Sequence, residues 1–328
     1  MQNTTTRALI AAMTMTTMLT TGALAQDAYP SSPVTILVPA AAGGPSDTVA
    51  RLVAQSMSET LGQQVLVENM GGAGGSLGAG TVAMAEPDGY TLLLYHVGVA
   101  TFAALYPDLP YQPIEAFSSI GLVTEVPMTL VSRTDLPPTD IAELLQLLRD
   151  DGASLTFGTA GVGSVSDLCG MLLSDALDMQ MTVVPYQGTG PAMTDLLGGQ
   201  IDLMCDQTTN TANQIEAGDV KPYAVTTAER IERFPDLPTV AESGVEGFEV
   251  TAWHALWAPT GTPDEIRETL ASALQTALAD PTVIERFASL GTAPVAADLA
   301  TPAALDEHFR SEIELWTDLI ANVERPAQ

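Results

Sequence analysis

The chain is poor in cations. Lysine occurs once, at Lys221, and Lys and Arg together number 11 against 40 Asp and Glu, a formal net charge of −29 over 328 residues. Such a chain will not coat nucleic acid or an anionic membrane, both of which need basic patches. Cysteine is nearly absent, with Cys169 and Cys205 alone. His96, His254 and His308 are widely spaced and have no Cys or His at ligand spacing, so neither a metal nor a cofactor is expected. After the first 25 residues no run is long and apolar enough to span a bilayer. The shortage of cations does not exclude an anionic ligand, because backbone amides can supply the binding field.

Residues 1–25 read as a cleaved signal peptide. Arg7 gives a short positive start, Ala8 to Leu24 is apolar without charge, and Ala23-Leu24-Ala25 offers a cleavage site ahead of Gln26. No cysteine follows the cut to carry a lipid. In an oxidising compartment Cys169 and Cys205 can form a disulfide, with two buried free thiols as the alternative. The remaining length, roughly 300 residues, suffices for two domains, each with its own core.

The stretch that organises the rest is Val34 to Met57. Val34, Ile36, Leu37 and Val38 form an uncharged apolar run that reads as a buried strand ended by Pro39. Gly43-Gly44-Pro45 is a turn cluster, and Ser46 or Asp47 offers an N-cap side chain. Val49, Leu52, Val53, Met57 and Leu61 then follow at helical spacing. The unit recurs from Leu155 to Leu173: an apolar strand, a loop with Gly158, Gly161 and Gly163, and Ser166-Asp167 opening a helix that buries Val165, Leu168, Leu172 and Ala176. Each unit makes an anion site from free N–H groups and the positive end of a helix dipole. Two facing α/β domains with an anion between them fit this repeat; two unrelated strand–helix turns are the alternative.

The glycine tract after the strand Gln64 to Glu68 contains two motif matches that fail on context. Gly74-Gly75-Ser76-Leu77-Gly78 fits G-x-S-x-G, but Asn69 to Ala73 separate it from the strand that a nucleophile elbow requires. Gly78-Ala79-Gly80 with Ala83 fits a dinucleotide fingerprint but falls inside an expected helix. A tight loop and a small-residue helix packed on the sheet explain both. His96 lies just past the strand Tyr90 to Tyr95, at the end where open α/β sheets bind ligands. Phe117 to Ser132, broken at Pro127, and Glu246 to Pro259 read as crossings between domains. Further strands are expected at Met181 to Tyr186, Ile201 to Cys205 and Lys221 to Thr227. Asp206 to Asn210 forms a polar cluster after the second of these. Strands alternating with helices imply mainly parallel sheets.

PAAAGGPSDTVAR, VENMGGAGGSLGAG, EPDGYTLLL, FGTAGVGS, VPYQGTGPAMTDLLGGQID, AVTTAERIERFPDLPTVAESG, WHALWAPTGTP and LADP, in this order, resemble the signatures of one family. It is that of the Bug-type, TctC-like periplasmic solute receptors of tripartite tricarboxylate transporters. The resemblance implies a type II periplasmic binding protein. Residues 26–126 and 251–328 would form one α/β domain and 127–250 the other. It implies a monomer that captures an organic carboxylate, a dicarboxylate or aromatic acid, for membrane permease subunits. Carried over, the ligand loops give Ala41, Ala42, Gly43, Gly44, Ser46 and Asp47 in the first, and Thr159, Ala160, Gly163 and Ser164 in the second. His96, Asp206 and Thr208 complete the expected set. Many members have His-Leu where this chain has Asp167-Leu168. An Asp there would repel a bound carboxylate, so Asp167 is expected to cap its own helix. Asp206 either accepts from a ligand hydroxyl or ammonium, or bonds a loop amide. An exported serine hydrolase using Ser76 with His254 or His308, and a receptor that presents its ligand to a sensor, are the competing readings.

Overall fold

The computed structural model describes residues 29–323; the expected signal peptide lies outside them. Ten strands form one curled sheet: β1 (Val34–Val38), β2 (Val65–Asn69), β3 (Thr91–His96), β4 (Phe117–Ser132), β5 (Thr156–Thr159), β6 (Thr182–Pro185), β7 (Leu203–Gln207), β8 (Lys221–Val225), β9 (Thr251–Pro259) and β10 (Ala293–Pro294). Their order is β2-β1-β3-β9-β4-β7-β5-β6, with β8 and β10 also paired to β4. The pairings β1–β2, β1–β3, β5–β6 and β5–β7 are parallel, as strand–helix alternation requires. The long strands β4 and β9 run antiparallel to their neighbours and add the mixed character.

β4 joins the two halves of the sheet. Its pairing with β9 ends at Pro127↔Thr251, and its pairing with β7 begins at Met128↔Gln207. Proline has no N–H to give a ladder, so it sits where the ladder changes partner. The first half therefore holds β1–β3, β9 and β10, and the second holds β5–β8.

Each parallel set is covered by helices whose apolar faces the sequence specifies. Helix Pro45–Leu61 buries Val49, Val53 and Met57 with Val34, Ile36 and Val38 of β1 and with Leu270 and Leu274 of helix Asp264–Leu278. Removing a side chain such as Met57, which is fully buried, would cost about 2–5 kcal/mol. In the second half, helix Val165–Leu177 buries Leu168, Cys169, Leu173 and Leu177. Its stripe differs from the expected one: Leu172 is half-buried and Ala176 exposed. The physical reason is Cys169, which is bonded to Cys205 of β7 across a Cα–Cα distance of 6.2 Å. That bond turns Cys169 and the positions four and eight residues later onto the sheet. Helices Gly98–Leu105 and Thr208–Ala217, absent from the sequence reading, follow β3 and β7 almost without a loop. β7 itself ends at Gln207, so Asp206 and Gln207 belong to the strand.

Candidate functional site

Both glycine loops are built to one plan. Gly44, in extended conformation, is the N-cap of helix Pro45–Leu61, so Ser46 and Asp47 lie in the first turn and do not cap it. Pro45 at the first helical position pre-sets the backbone for this. Ser164 is the N-cap of helix Val165–Leu177, its Oγ accepting from Asp167 N at 3.3 Å. The residue before each N-cap is a glycine at φ +79°, Gly43 and Gly163, in the left-handed region that a side chain disfavours. Three residues after each N-cap an aspartate reaches back: Gly43 N donates to Asp47 Oδ2 at 3.0 Å, and Gly163 N to Asp167 Oδ2 at 2.9 Å. Asp167 thus closes its own loop.

These bonds decide which amides remain available. Gly43 N and Gly163 N are taken by carboxylates, Ala160 N by Ser166 Oγ (2.9 Å), and Gly161 N by Thr159 Oγ1 (3.2 Å). Ala41 N donates to Gln187 O of the second half at 2.8 Å. The second helical residue of each unit, Ser46 and Ser166, keeps its N–H without an acceptor among the described residues.

A single cleft collects these groups. Its wall includes Gly44, Gly188 and Gln207, the N-caps of helices Pro45–Leu61, Thr189–Leu197 and Thr208–Ala217, together with Val165 and Ser166 from the start of a fourth helix. Four positive helix ends point into one space, and among the described residues no Lys, Arg, Asp or Glu lines it. Arg51, the cation nearest in sequence to the first loop, is bound to Asp47 and Asn69. The hydrogen bonds of Asp47 to Arg51 and Gly43 outweigh burial and hold its carboxyl below the usual range.

His96 and His254 face each other across β3 and β9 and are fully enclosed. Burial, with His254 beside it, keeps His96 well below its usual pKa, and burial takes His254 down to about 3. Both imidazoles are therefore neutral. His96 Nδ1 accepts from Gly98 N at 3.0 Å, which leaves the ring proton on Nε2, a donor in a residue that lines the cleft. Ser46 Oγ lies 3.0 Å from His254 Nε2. Asp206 is buried and accepts from Asn210 Nδ2 (2.6 Å) and Gln207 N (2.8 Å), while burial pushes it up to about 6. It bonds the strand it sits on and the helix that follows, not a loop amide.

The halves touch around the cleft. Besides the Ala41–Gln187 bond, Tyr106 Oη donates to Val162 O (2.7 Å), Thr101 Oγ1 to Gly163 O (3.2 Å) and Thr208 Oγ1 to Gly291 O (3.3 Å). The glycine tract forms part of this seam: a Cβ on Gly74 would overlap Val162 O, and one on Gly71 would crowd Gln187 O. The free space left in the cleft is about 20 Å³, room for about one water. A larger cavity, about 210 Å³, lies at the far end of β9 between Phe117, Arg267 and Arg310 and shares no residue with the loops.

Of the residues named from sequence, Gly44, Ser46, His96 and Ala160 line the cleft. Ala41, Ala42, Gly43, Asp47, Thr159, Gly163, Ser164, Asp206 and Thr208 do not line it; the bonds above place most of them behind the wall or in the seam. Ser166, the end of the second expected loop and the counterpart of Ser46 in the repeat, lines the cleft as well, whereas sequence reasoning missed Thr189 and Gln207. The hydrolase constellation is not assembled: His254 meets Ser46, and His308 packs edge-on against Trp253 at 4.7 Å.

The family model described as the tripartite tricarboxylate transporter family receptor (TctC) matches residues 49–321. The chain belongs to this family. It is a solute-binding protein and not an enzyme. It is 67% identical, over 95% of its length and 90% of the relative's, to the UPF0065 protein encoded in the TAR-I ttuE–ttuC′ intergenic region of Agrobacterium vitis. Among solved structures, the periplasmic binding protein BugD superposes with a TM-score of 0.88 at 48% identity, covering 91% of this chain and all of that one. MatC of Rhodopseudomonas palustris with bound malate gives 0.86 at 41%, covering 89% and 100%. Rpa4515 of R. palustris with adipate gives 0.84 at 32%, covering 90% and 99%.

Proposed function

We propose that this receptor captures a small organic carboxylate, a dicarboxylate above all, in the cleft and delivers it to the permease subunits of a tripartite transporter. The observation that carries the reading is the convergence of four helix N-termini on a cleft wall without a charged side chain. Carboxylate oxygens accept from such amides, and hydrogen bonds to a charged group contribute about 1.5–3 kcal/mol each. Four or five of them, less ordering and desolvation, are consistent with roughly micromolar affinity, about 8 kcal/mol. Malate and adipate in the related structures support the same ligand class.

A dicarboxylate exceeds the present free space, so entry requires the halves to part. On this reading 26–126 with 251–328 forms one jaw and 127–250 the other, hinged where β4 changes partner at Pro127 and β9 begins at Thr251. Closure removes the carboxylate from water and strengthens each bond. Cleavage ahead of Gln26 and release into the periplasm belong to the same proposal.

A thermal-shift screen of mono-, di- and tricarboxylates tests it. A ligand at 100 times its Kd should stabilise by about 2.7 kcal/mol. A flat response to every carboxylate would contradict the reading. N-terminal sequencing of protein from a periplasmic extract tests the cut, and loss of labelled carboxylate uptake on gene deletion tests delivery.

A further inference from the structure

The larger cavity, about 210 Å³, lies outside the cleft and holds donors that the fold leaves unused. Two arginines line it, in a chain with only 11 Lys and Arg. Arg267 stands near the start of helix Asp264–Leu278 with its side chain 24% exposed, and one terminal nitrogen is bound to Asp264. Asp264 is 82% exposed, so water screens that pair, and Arg267 Nε is left buried without a hydrogen-bond partner. Arg310, on helix Pro302–Asn322, makes no hydrogen bond or ion pair to any described residue. A guanidinium keeps its charge and can only donate, so a buried Nε–H has to be matched by an acceptor. Asp306, four residues before Arg310, does not supply one: it accepts from Ser119 Oγ and pairs with neither arginine.

We propose that this cavity is a second anion site, for a small monocarboxylate with an apolar body. The planar guanidinium fork matches a carboxylate through two parallel N–H···O bonds, and two such forks meet one space here. Ile114, Phe117 and Phe309 supply the apolar wall that covers the rest of the ligand. Asp306 limits the charge, because a second carboxylate in so small a space would meet it at short range. The net charge of −29 repels anions from afar, but salt screens that field over about 8–10 Å, so the two adjacent arginines decide the local balance. Every residue of the wall precedes Pro127 or follows Thr251, so the site lies within the first half and stays formed whether the halves are open or closed.

The arginine Nε–H signals of the ¹⁵N-labelled mature chain read this site directly, since neither arginine lines the cleft. Butanoate, benzoate, butanamide and inorganic phosphate are the probes. Butanoate and benzoate should shift the Arg267 and Arg310 signals saturably, with one Kd for both arginines. Butanamide, alike in shape without the charge, should bind about 10-fold or more weaker. Arg310→Gln, at an exposed position, should weaken butanoate by about 10-fold or more at the Arg267 signal. The contrast between butanoate and butanamide in wild type stands as a test by itself if the variant fails to fold. No saturable shift at either arginine overturns the proposal, and so does equal binding of butanamide, which marks an apolar cavity only. Phosphate binding tighter than both acids overturns the carboxylate assignment. Tighter binding of the capped residue acetyl-glutamate methylamide than of either free acid overturns the small-molecule source and assigns the site to an acidic side chain of a partner protein. The cleft and its ligand are read separately, in the thermal screen.

Discussion

Asp47 Oδ2 accepts from Gly43 N at 3.0 Å, and Asp167 Oδ2 accepts from Gly163 N at 2.9 Å, each four residues back along the chain. The two aspartates thus fix the two glycine loops in the same way, from inside the first turn of each helix. Asp167→Ala leaves Gly163 N without its acceptor and should cost about 1–3 kcal/mol in a urea titration, while Asp167→Asn, which keeps an acceptor oxygen, should cost less. If Asp167→Ala were neutral for stability and strongly improved carboxylate affinity, the aspartate would be facing the ligand instead of its own loop.

Gly74 belongs to the first half but abuts Val162 of the second, at φ +59°. Gly74→Val should therefore prop the halves apart. The expected result is a larger radius of gyration in solution scattering with saturating ligand, and a loss of affinity of about 10-fold or more from an incomplete cleft. Wild-type scattering and affinity in the variant would mean that this seam does not govern closure.

The Cys169–Cys205 bond spans 36 residues and ties the second loop's helix to β7, one residue before Asp206. Replacing both cysteines with alanine should cost about 3–4 kcal/mol by the loop-closure relation, read as a shift in the urea midpoint. A shift below about 1 kcal/mol would show that the unfolded chain is not constrained in this way.

The buried histidines set a pH dependence of known sign. An unfolded histidine titrates near about 6.5, whereas His254 is held at about 3 in the fold. As pH falls below that unfolded value the unfolded chain takes up a proton that the native chain refuses, so this contribution is complete at neutral pH and is lost progressively toward the folded value. Asp206, raised to about 6, works in the opposite direction, losing its contribution as pH rises through that value. Comparison with His254→Gln cancels the aspartate. Between neutral pH and pH 5, wild type should lose about 2 kcal/mol more stability than the variant. Parallel stability curves would contradict a neutral, buried His254.

Much of the first half of the site is legible in the sequence. A β-branched run, a glycine pair, Pro45 and an apolar helical stripe specify β1, its loop and its helix locally. Residue choice around Gln207 does not work locally. Thr208, Thr209 and Asn210 are weak helix formers and read as a loop, yet they start a helix because Thr208, Thr209, Thr211 and Ala212 are buried there. Gly188 was equally hidden, since its role as an N-cap depends on packing against Ala41 of the other half. An anion site was visible because backbone anion sites leave a glycine signature, whereas the carboxylate class came only with the family resemblance. Thr189 and Gln207, the cleft residues that the sequence did not mark, lie on unpatterned stretches that only folding brings together.

The central claim, that helix N-terminal amides and not a cation hold the carboxylate, is tested most directly by calorimetry on Ser46. The carboxylate that responds in the thermal screen is titrated into wild type, Ser46→Ala, Ser46→Pro and Arg51→Ala. Proline is accepted in a first helical turn and removes the N–H, while alanine removes only the hydroxyl that meets His254 Nε2. Ser46→Pro should bind about 10-fold or more weaker than Ser46→Ala, and Arg51→Ala should stay within about 3-fold of wild type. Loss of binding in Arg51→Ala, with Ser46→Pro binding as tightly as Ser46→Ala, would contradict the account.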